Sequence, residues 1–363
     1  MSDITPMLSS YSPATNHDLL PHLVPFFNST LMSPHIPQNR LDLKIDKFIY
    51  GTAWKQNRTA LLVYEAIKAG FRSIDTGALP KHYDEKQTGI GIYWAMMECI
   101  VQRKDLHIQT KFVPMTCQDE MNVPYNPSDH ILKQIQDSII SSLQHFSFPG
   151  FGTAYIDSLV LHSPLSSRAE IYSAWRFLDY FVPFPIKSLG LSNMTVTQLQ
   201  DLIIKTGIRP CIIQNRFYRY TRWEVQLRNF CRNEGIIFQS FWTLTANYYL
   251  CRTKVVREIA QELYWLGVFQ PEIVALYALV LGLDGISIMN GTTNPFRMKA
   301  DLDGLNLVSH LVMGEWKEKW VVWVSTFKTM ISDFEWEKED IESEFKNGVY
   351  VLDELILKRR ETC

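Results

Sequence analysis

The sequence predicts an α/β protein in which eight parallel strands close into a (β/α)8 TIM barrel. From residue 48 onward, short apolar runs alternate with longer stretches of helical periodicity, a pattern typical of a parallel sheet. The alternation yields eight strands before residue 291, which favours a closed barrel over an open sheet. A chain of 363 residues also accommodates a barrel of about 250 residues with terminal extensions.

The first half of the barrel is predicted from four apolar runs. They read F-I-Y-G-T, F-R-S-I-D, L-H-I-Q-T-K and Y-I-D-S-L-V-L-H, at 48–52, 71–75, 106–111 and 155–162. Helical periodicity between these runs predicts helices over 59–70, 90–101 and 129–145. Gly70 suits the position that follows a helix C-terminus. The helix at 90–101 is unusually apolar and carries Tyr93 and Trp94, which we expect to form a contact surface.

The second half of the barrel repeats the pattern. Strands are predicted at 186–192, 211–215, 235–240 and 285–290, and helices at 168–178, 196–206, 223–233 and 271–281. The loops that follow the strands build the active face of such a barrel. Polar residues at the carboxyl ends of the strands are therefore candidate catalytic groups.

Two terminal segments flank the predicted barrel domain at 46–310. Residues 1–45 read as an irregular N-terminal arm, because prolines interrupt any regular element at Pro6, Pro13, Pro21, Pro25, Pro34 and Pro37. Residues 311–363 alternate apolar and charged residues at helical spacing. We expect a helical extension packed on the outside of the barrel, with coverage of a rim or a dimer contact as the alternative.

Composition and charge exclude several classes of protein. The formal net charge of −2 indicates no bulk attraction to nucleic acid or to an anionic membrane. Residues 1–45 lack the pattern of a signal peptide and no apolar stretch reaches about 18 residues, so we expect a cytoplasmic protein. The six cysteines show neither C-x-x-C nor zinc-finger spacing, so we expect free thiols and no metal site.

Four polar residues at or just beyond successive strand ends stand out. Asp75 closes R-S-I-D, Lys111 closes L-H-I-Q-T-K, and His162 closes the fourth strand, while Tyr83 follows Asp75 within K-H-Y-D-E. An acid, an amine, an imidazole and a phenol on one rim could form a proton-donating site for the reduction of a carbonyl group.

These segments resemble the aldo-keto reductase superfamily from about Ile49 to Leu305. The similarity is greatest to a subset common in fungi and plants, which has the K-H-Y form of the tyrosine motif. The matching strings, in order, are G-T-A-W-K, D-T-G-A-L-P-K-H-Y-D-E, Q-T-K-F, L-H-S-P-L, G-L-S-N, Q-S-F-W-T-L-T-A-N and G-T-T. Each string alone is weak, but their order at the strand ends is highly specific.

The resemblance implies that Asp75, Tyr83, Lys111 and His162 form the catalytic tetrad. Tyrosine has an ordinary pKa of about 10, and a neighbouring ammonium such as that of Lys111 is expected to lower it. Asp75 would hold Lys111, and His162 would orient the carbonyl group. Many members have the tyrosine five positions after the aspartate, which here is Pro80, so the K-H-Y subset is the basis for choosing Tyr83, with His82 as a lesser candidate.

The resemblance further implies that the hydride comes from NADPH, with NADH as the alternative. The residues that match its nicotinamide end and the near side of the site are Ser192, Asn193, Gln214, Phe241, Gly51 and Thr52. The Ser192-Asn193 pair could also cap the helix at 196–206. Gly291, Thr292 and Arg297 match the adenosine end, where Arg297 would grip the 2′-phosphate of NADPH. Many members carry a lysine at the position of Gly291.

Four residues are candidate walls of the substrate pocket: Trp54, Phe112, Ser163 and Trp242. Ser163 replaces the bulky aromatic residue that often follows the histidine, which would widen the pocket, or it caps the turn before Pro164. We expect an NADPH-dependent reductase that acts on the carbonyl group of a small or medium-sized metabolite, as a monomer or weak homo-oligomer. The alternatives are a related reduction or oxidation (imine, enone or alcohol) in a biosynthetic pathway, and a non-catalytic, cofactor-binding regulatory barrel.

Overall fold

The structure, a computed structural model, describes residues 47–119 and 121–332. Eight parallel strands form a closed barrel in which each strand pairs with the next and the last pairs with the first. The strands are β1 Phe48–Gly51, β2 Ser73–Asp75, β3 His107–Phe112, β4 Ile156–Leu161, β5 Ile186–Ser192, β6 Ile212–Arg216, β7 Ile237–Phe241 and β8 Ile286–Asn290. The predicted (β/α)8 barrel is therefore confirmed.

Ten α-helices lie within the described residues. They are α1 Thr59–Ala69, α2 Glu85–Met97, α3 Ile131–His145, α4 Arg168–Asp179, α5 Val196–Thr206, α6 Val225–Asn233, α7 Lys254–Trp265, α8 Pro271–Leu281, α9 Pro295–Met313 and α10 Lys317–Ser332. The sequence pattern did not predict α7 or α9. It also placed the start of α2 five residues too late, because Asp84 caps this helix by accepting a hydrogen bond from the amide of Gln87 at 2.8 Å.

Helix α2 is buried rather than exposed, which corrects the expected contact surface. Tyr93 and Trp94 belong to the core beneath neighbouring helices. The close approach of α1 and α2 depends on Gly91, because a Cβ atom there would lie 2.4 Å from the carbonyl oxygen of Ala60. The apolar composition of α2 thus reflects contacts with helices on several sides.

Helix α10 is the described part of the predicted C-terminal extension. It buries one apolar face, formed by Trp323, Phe327 and Ile331, and Lys319 forms an ion pair of 2.7 Å with Glu262 of α7. The predicted arm at 1–45 and the remainder of the extension after 332 lie outside the described residues.

The barrel interior is unusually polar. Successive residues of a strand point to opposite sides of the sheet, so alternate positions of each strand face the barrel axis. Glutamines of β3, β6 and β7 meet across the axis and are all buried: Gln109, Gln214 and Gln239. Below them Ser158 hydrogen-bonds to Ser188 at 2.7 Å. Within the described residues, no helix is long and apolar enough to cross a membrane.

Candidate active site

A buried ion pair lies at the carboxyl ends of β2 and β3. The Nζ atom of Lys111 donates to both carboxylate oxygens of Asp75, at 2.7 and 2.6 Å, and to the carbonyl oxygen of Thr76 at 2.6 Å. The lysine and aspartate side chains are only 1% and 4% exposed. All three donor positions of the ammonium are satisfied, which is what a charged amine requires in the absence of water.

Tyr83 joins this pair from the loop between β2 and α2. The Nζ atom of Lys111 lies 4.7 Å from the centroid of the Tyr83 ring. Gly77 makes room for the ring, because a Cβ atom there would lie 3.3 Å from Cδ2 of Tyr83. Leu79, Val113 and Cys117 form a small apolar cluster against which the ring packs. The structure thus brings the phenol, the amine and the carboxylate together.

The protonation of this group differs from the simple expectation. Burial raises the pKa of Tyr83, and the positive charge of Lys111 opposes that rise only in part. The sequence argument anticipated a lowered pKa, but the loss of hydration of the phenolate outweighs the attraction of the ammonium. Burial alone would favour the neutral amine, yet Asp75 and Tyr83 together raise the pKa of Lys111. Tyr83 is therefore a phenol, able to donate, beside a lysine that stays charged.

His162 follows β4 and faces the same rim. Burial, aided by the positive charges of Lys111, His82 and Arg216, lowers the pKa of His162 to about 3. The imidazole is thus neutral at physiological pH and carries one N–H that can be donated to a ligand. Its backbone carbonyl accepts a hydrogen bond of 2.8 Å from Nδ2 of Asn193, which fixes the loop that carries it.

Ser192 and Asn193, at the end of β5, belong to this rim as well. The hydroxyl of Ser192 donates to the carbonyl oxygen of Gln214 at 2.6 Å, and the amide of Asn193 donates to Ser192 at 3.2 Å. The alternative that this pair caps α5 is wrong, because Thr195 is the cap and its side chain accepts from the amide of Gln198. Ser192 and Asn193 therefore belong to the candidate site and not to the cap of α5.

Arg216, the last residue of β6, is a residue that the sequence analysis missed. One of its terminal nitrogens donates to Oδ1 of Asn193 at 2.9 Å. Its guanidinium lies 5.3 Å from the ring centroid of Phe241 and 4.8 Å from that of Trp242. A cavity of about 540 Å³ adjoins Arg216 and Asn193. A cation at the carboxyl end of I-I-Q-N-R was visible in the sequence and could have been selected by the rule applied to Lys111.

Two further basic residues missed by the sequence analysis join β1 to β8. Lys55 donates from Nζ to the carbonyl oxygen of Gly291, and Arg58 donates to that of Thr293 at 3.2 Å. Burial and the charge of Arg58 lower the pKa of Lys55 to about 8. Nearby, the hydroxyl of Tyr50 donates to the carbonyl oxygen of Thr292 at 3.1 Å. Lys55 thus brings an amine to Gly291, the position where many aldo-keto reductases have a lysine.

Arg297 lies exposed at the N-terminus of α9. Asn294 caps this helix by accepting from the amides of Phe296 and Arg297, at 2.9 and 3.3 Å. Such a terminus attracts anions through its amide groups and its dipole. A cavity of about 290 Å³ is lined in part by Phe296, which adjoins Arg297, and by Phe269. The centroids of these two aromatic rings are 4.9 Å apart.

Gly51 and Thr52 lie between these two ends of the rim. The hydroxyl of Thr52 donates to the carbonyl oxygen of Asp75 at 3.0 Å, so it anchors the end of β1 to that of β2. A Cβ atom at Gly51 would make only ordinary contact, 3.6 Å from the carbonyl oxygen of Asn290.

The candidate pocket walls divide into exposed and buried residues. Trp54 is 50% exposed at the rim, with its ring 4.0 Å from that of His82. Phe112 is fully buried and packs against Tyr125 at 5.6 Å, so it does not face the open site. The alternation along β3 explains this, since Lys111 points into the barrel and the next residue must point to the helices.

The remaining two candidates lie at the rim. The hydroxyl of Ser163 is 3.6 Å from the thiol sulfur of Cys117, which also borders the Tyr83 ring. Trp242 has a positive φ of 60° and stands edge-on to Phe241. Among the described residues, no cluster of three or more His, Cys, Asp or Glu side chains could hold a metal ion.

Comparisons with known proteins identify the family of this chain. Residues 50–255 match the model of the aldo/keto reductase family. An aldo-keto reductase of Bombyx mori is 28% identical over 187 residues, which cover 49% of this chain and 54% of that protein. A probable NAD(P)H-dependent D-xylose reductase of Emericella nidulans is 29% identical over 300 residues, which cover 75% and 89%. The chain spans only about half to two-thirds of the length of three curated relatives, the first of which is that Bombyx mori protein.

The fold is shared with solved structures. The crystal structure of a Bombyx mori aldo-keto reductase in complex with NADP superposes with a TM-score of 0.58 at 21% identity, covering 76% of this chain and 89% of that one. At this level of identity the likeness concerns the barrel alone.

Proposed function

Because the chain belongs to the aldo/keto reductase family, we propose that it is an enzyme that reduces an aldehyde or ketone of a small or medium-sized metabolite with NADPH. The observation that carries this proposal is the convergence of Asp75, Lys111, Tyr83 and His162 on one rim of the barrel. A barrel that only bound a cofactor would have no need of these four groups. We further propose a cytoplasmic monomer or weak homo-oligomer that acts in secondary metabolism.

Reduction needs an acid at the carbonyl oxygen, where negative charge develops as hydride arrives at carbon. Tyr83 fills this role, because its raised pKa keeps the phenol protonated until the oxygen becomes strongly basic. Lys111 then stabilises the tyrosinate that remains, and Asp75 holds the ammonium in place. His162, kept neutral, donates its N–H to the same oxygen and orients the substrate.

The residues present fit a dinucleotide that bears phosphates. NADPH supplies the hydride when bound. Three cations would hold its phosphates: Lys55 and Arg58, which follow β1 and contact residues 291 and 293, and Arg297 at the start of α9. Lys55 would compensate for the glycine at 291, and the cavity lined by Phe269 and Phe296 would receive the aromatic base. Ser192, Asn193, Gln214 and Phe241 would hold the nicotinamide end.

The decisive experiment is turnover of NADPH by the purified full-length chain with a panel of aldehydes and ketones. Wild type should consume NADPH with at least one carbonyl compound, whereas Tyr83→Phe should lose a factor of about 10² or more in kcat. NADPH should still bind to the variant and quench its tryptophan fluorescence, because Tyr83→Phe removes only the hydroxyl and keeps the aromatic ring. Near-normal turnover by Tyr83→Phe would move the acid to another residue, and no turnover by wild type with any carbonyl would reject the reductase itself.

A further inference from the structure

The catalytic aspartate is attached to a layer of three glutamines inside the barrel. Nε2 of Gln109 donates to Oδ1 of Asp75 at 2.8 Å and to Oε1 of Gln239 at 2.7 Å. Gln239 returns a hydrogen bond of 3.0 Å to Gln109. Nε2 of Gln214 donates to Oδ1 of Asp75 and to Oε1 of Gln239, both at 3.1 Å. Four strands, β2, β3, β6 and β7, are thus joined at one level.

A buried layer of glutamines destabilises the folded protein unless each side-chain amide has a hydrogen-bond partner. The relative exposures of Gln109, Gln214 and Gln239 are 1%, 4% and 0%, so water cannot replace a missing partner. Buried amides without partners destabilise a protein by about 1–3 kcal/mol each, and an apolar layer of similar volume avoids that risk. Packing alone therefore gives no reason for three glutamines here.

The geometry at Asp75 supplies a reason. Oδ1 accepts from Lys111, Gln109 and Gln214, whereas the hydrogen bond at Oδ2 comes from Lys111. Donors arriving at Oδ1 from two strands fix the rotation of the carboxylate. The carboxylate in turn fixes Lys111, whose Nζ atom must lie close beneath the Tyr83 ring.

We propose that Gln109 and Gln239 are positioning residues that hold the Asp75–Lys111 pair in the orientation required for proton donation by Tyr83. Gln109 acts directly on Asp75, and Gln239 acts through Gln109 and Gln214. As a statement about catalysis this rests on the proposed reductase function, but the positioning of Lys111 can be measured without turnover.

The sharpest test is Gln239→Met, which keeps the approximate volume of the side chain and removes an amide that touches neither Asp75 nor Lys111. Gln109→Met serves as the second variant and decides the matter should the first fail to fold. The matched control is Ser188→Ala, which removes a buried hydroxyl of the same barrel and its hydrogen bonds to Ser158 at 2.7 Å and to the carbonyl oxygen of Asp157 at 2.9 Å, neither of which involves Asp75. All proteins are compared by thermal unfolding before further measurement.

Two readouts separate positioning from simple stability. The first is the exchange rate of the Lys111 ammonium protons, measured by NMR on protein with ¹⁵N-labelled lysine and assigned with Lys111→Met. We expect the exchange to accelerate by about tenfold, or the signal to be lost, in both glutamine variants, while the control matches wild type. The second is kcat at saturating NADPH, which should fall about tenfold and by a larger factor than the affinity for NADPH, because small misplacements of catalytic groups are costly.

The outcomes are distinct. Faster exchange at Lys111 in the glutamine variants, together with a selective loss in kcat, supports the proposal. Unchanged exchange and kcat, with a fall in Tm no different from that of Ser188→Ala, would show that the glutamines serve stability only. A wild type without carbonyl reduction rejects the proposed function, yet the exchange of Lys111 still decides whether the network positions it.

Discussion

At the scale of single residues, His162 makes the stability of the protein depend on pH. Its pKa is about 3 in the folded protein and 6.5 in its ordinary state, so the unfolded chain takes up a proton below pH 6.5 that the folded protein refuses. Unfolding is therefore favoured as the pH falls from 6.5 towards 3, and this group alone contributes about 2 kcal/mol of destabilisation at pH 5.

His162→Gln isolates this contribution, because the variant lacks the titrating group. Between pH 7.5 and pH 5, the free energy of unfolding of wild type should therefore fall by about 2 kcal/mol more than that of the variant. Urea unfolding of both proteins at the two pH values measures the difference. A pH-independent difference would mean that the pKa of His162 is the same in the folded and unfolded states, which would contradict the effect of burial on this imidazole.

The preference for NADPH over NADH is predicted to depend on Arg297. A guanidinium forms charge-assisted hydrogen bonds with a 2′-phosphate that NADH lacks. Arg297→Ala should weaken NADPH binding by about tenfold or more and leave NADH binding nearly unchanged. The control is Lys319→Ala, since Lys319 is another exposed cation but belongs to α10 and pairs with Glu262 at 2.7 Å. Fluorescence titration with both cofactors measures the effect, and equal affinities of wild type for the two would refute it.

Residues at the carboxyl ends of the strands could be predicted because those ends build the active face of a parallel barrel. Asp75, Lys111 and His162 follow from the rule that strand ends build the active face, and the same rule applied without exception would have found Arg216. Phe112 was misjudged because adjacent residues of a strand face opposite sides. Lys55 was not found, because its contact with Gly291 joins residues far apart in sequence. The direction of the Tyr83 pKa was missed because burial is a property of the assembled loop.

At the scale of secondary structure, the contact between α1 and α2 depends on the absence of a side chain at Gly91. Alanine favours a helix over glycine by about 1 kcal/mol, so propensity alone predicts that Gly91→Ala stabilises the protein. The added Cβ atom would lie 2.4 Å from the carbonyl oxygen of Ala60 and 2.9 Å from Cβ of Val63, and neither position can yield without separating the helices. We expect a net loss of about 2 kcal/mol or more.

Thermal and urea unfolding of Gly91→Ala test this balance. Gln261→Ala is a suitable control, because it also introduces an alanine within a helix, α7, but at an exposed position. That variant should change stability by less than about 0.5 kcal/mol. If Gly91→Ala were as stable as wild type, the two helices would pack less closely than the structure shows.

The helices were predicted where one face is apolar and the other polar. Helix α2 is apolar almost all round, so periodicity gave no boundary, and its start is set by Asp84. Helix α9 was missed although Asn294-Pro295 is a strong start signal, because its apolar and polar residues are spread around the helix and mark no clear apolar face. Helix α7 was missed although its apolar residues recur at helical spacing and form one buried face.

At the scale of the whole molecule, the two ends of the barrel have different tasks. The candidate site lies at the carboxyl ends of the strands. At the opposite end of the barrel, Asp157 forms ion pairs with Arg103 and Lys187, each at 2.8 Å. Burial opposes ionisation of Asp157, yet these partners keep its pKa below the ordinary value. Tyr155 lies between the two cations, 3.8 and 4.0 Å from them.

Asp157→Asn should therefore reduce stability without reducing activity. Removing one member of a buried ion pair costs about 3 kcal/mol, because the other charges stay behind. Tm should fall clearly, while kcat/KM for the best carbonyl substrate, measured well below the new Tm, should remain within about twofold of wild type. A large loss of kcat/KM would mean that the two ends of the barrel are coupled.

The closed barrel itself was predictable, because eight strands in sequence order with helices between them admit few other arrangements. What the sequence could not supply was the meeting of distant strands inside it. The hydrogen bonds among Gln109, Gln214 and Gln239 join residues up to 130 positions apart, and no local pattern reports such a pairing.

The hydrogen bonds from Tyr50, Lys55 and Arg58 to residues 291–293 have a consequence for the order in which the protein is made. The first strand is synthesised long before the last. The side chains of Tyr50, Lys55 and Arg58 therefore cannot form these hydrogen bonds until residues 291–293 have left the ribosome. If phosphates bind here as proposed, their site is built from the first and last strands of the barrel and cannot exist on an incomplete chain. A nucleotide that binds there would recognise only finished molecules and, by mass action, would protect them while truncated chains remain open to proteases.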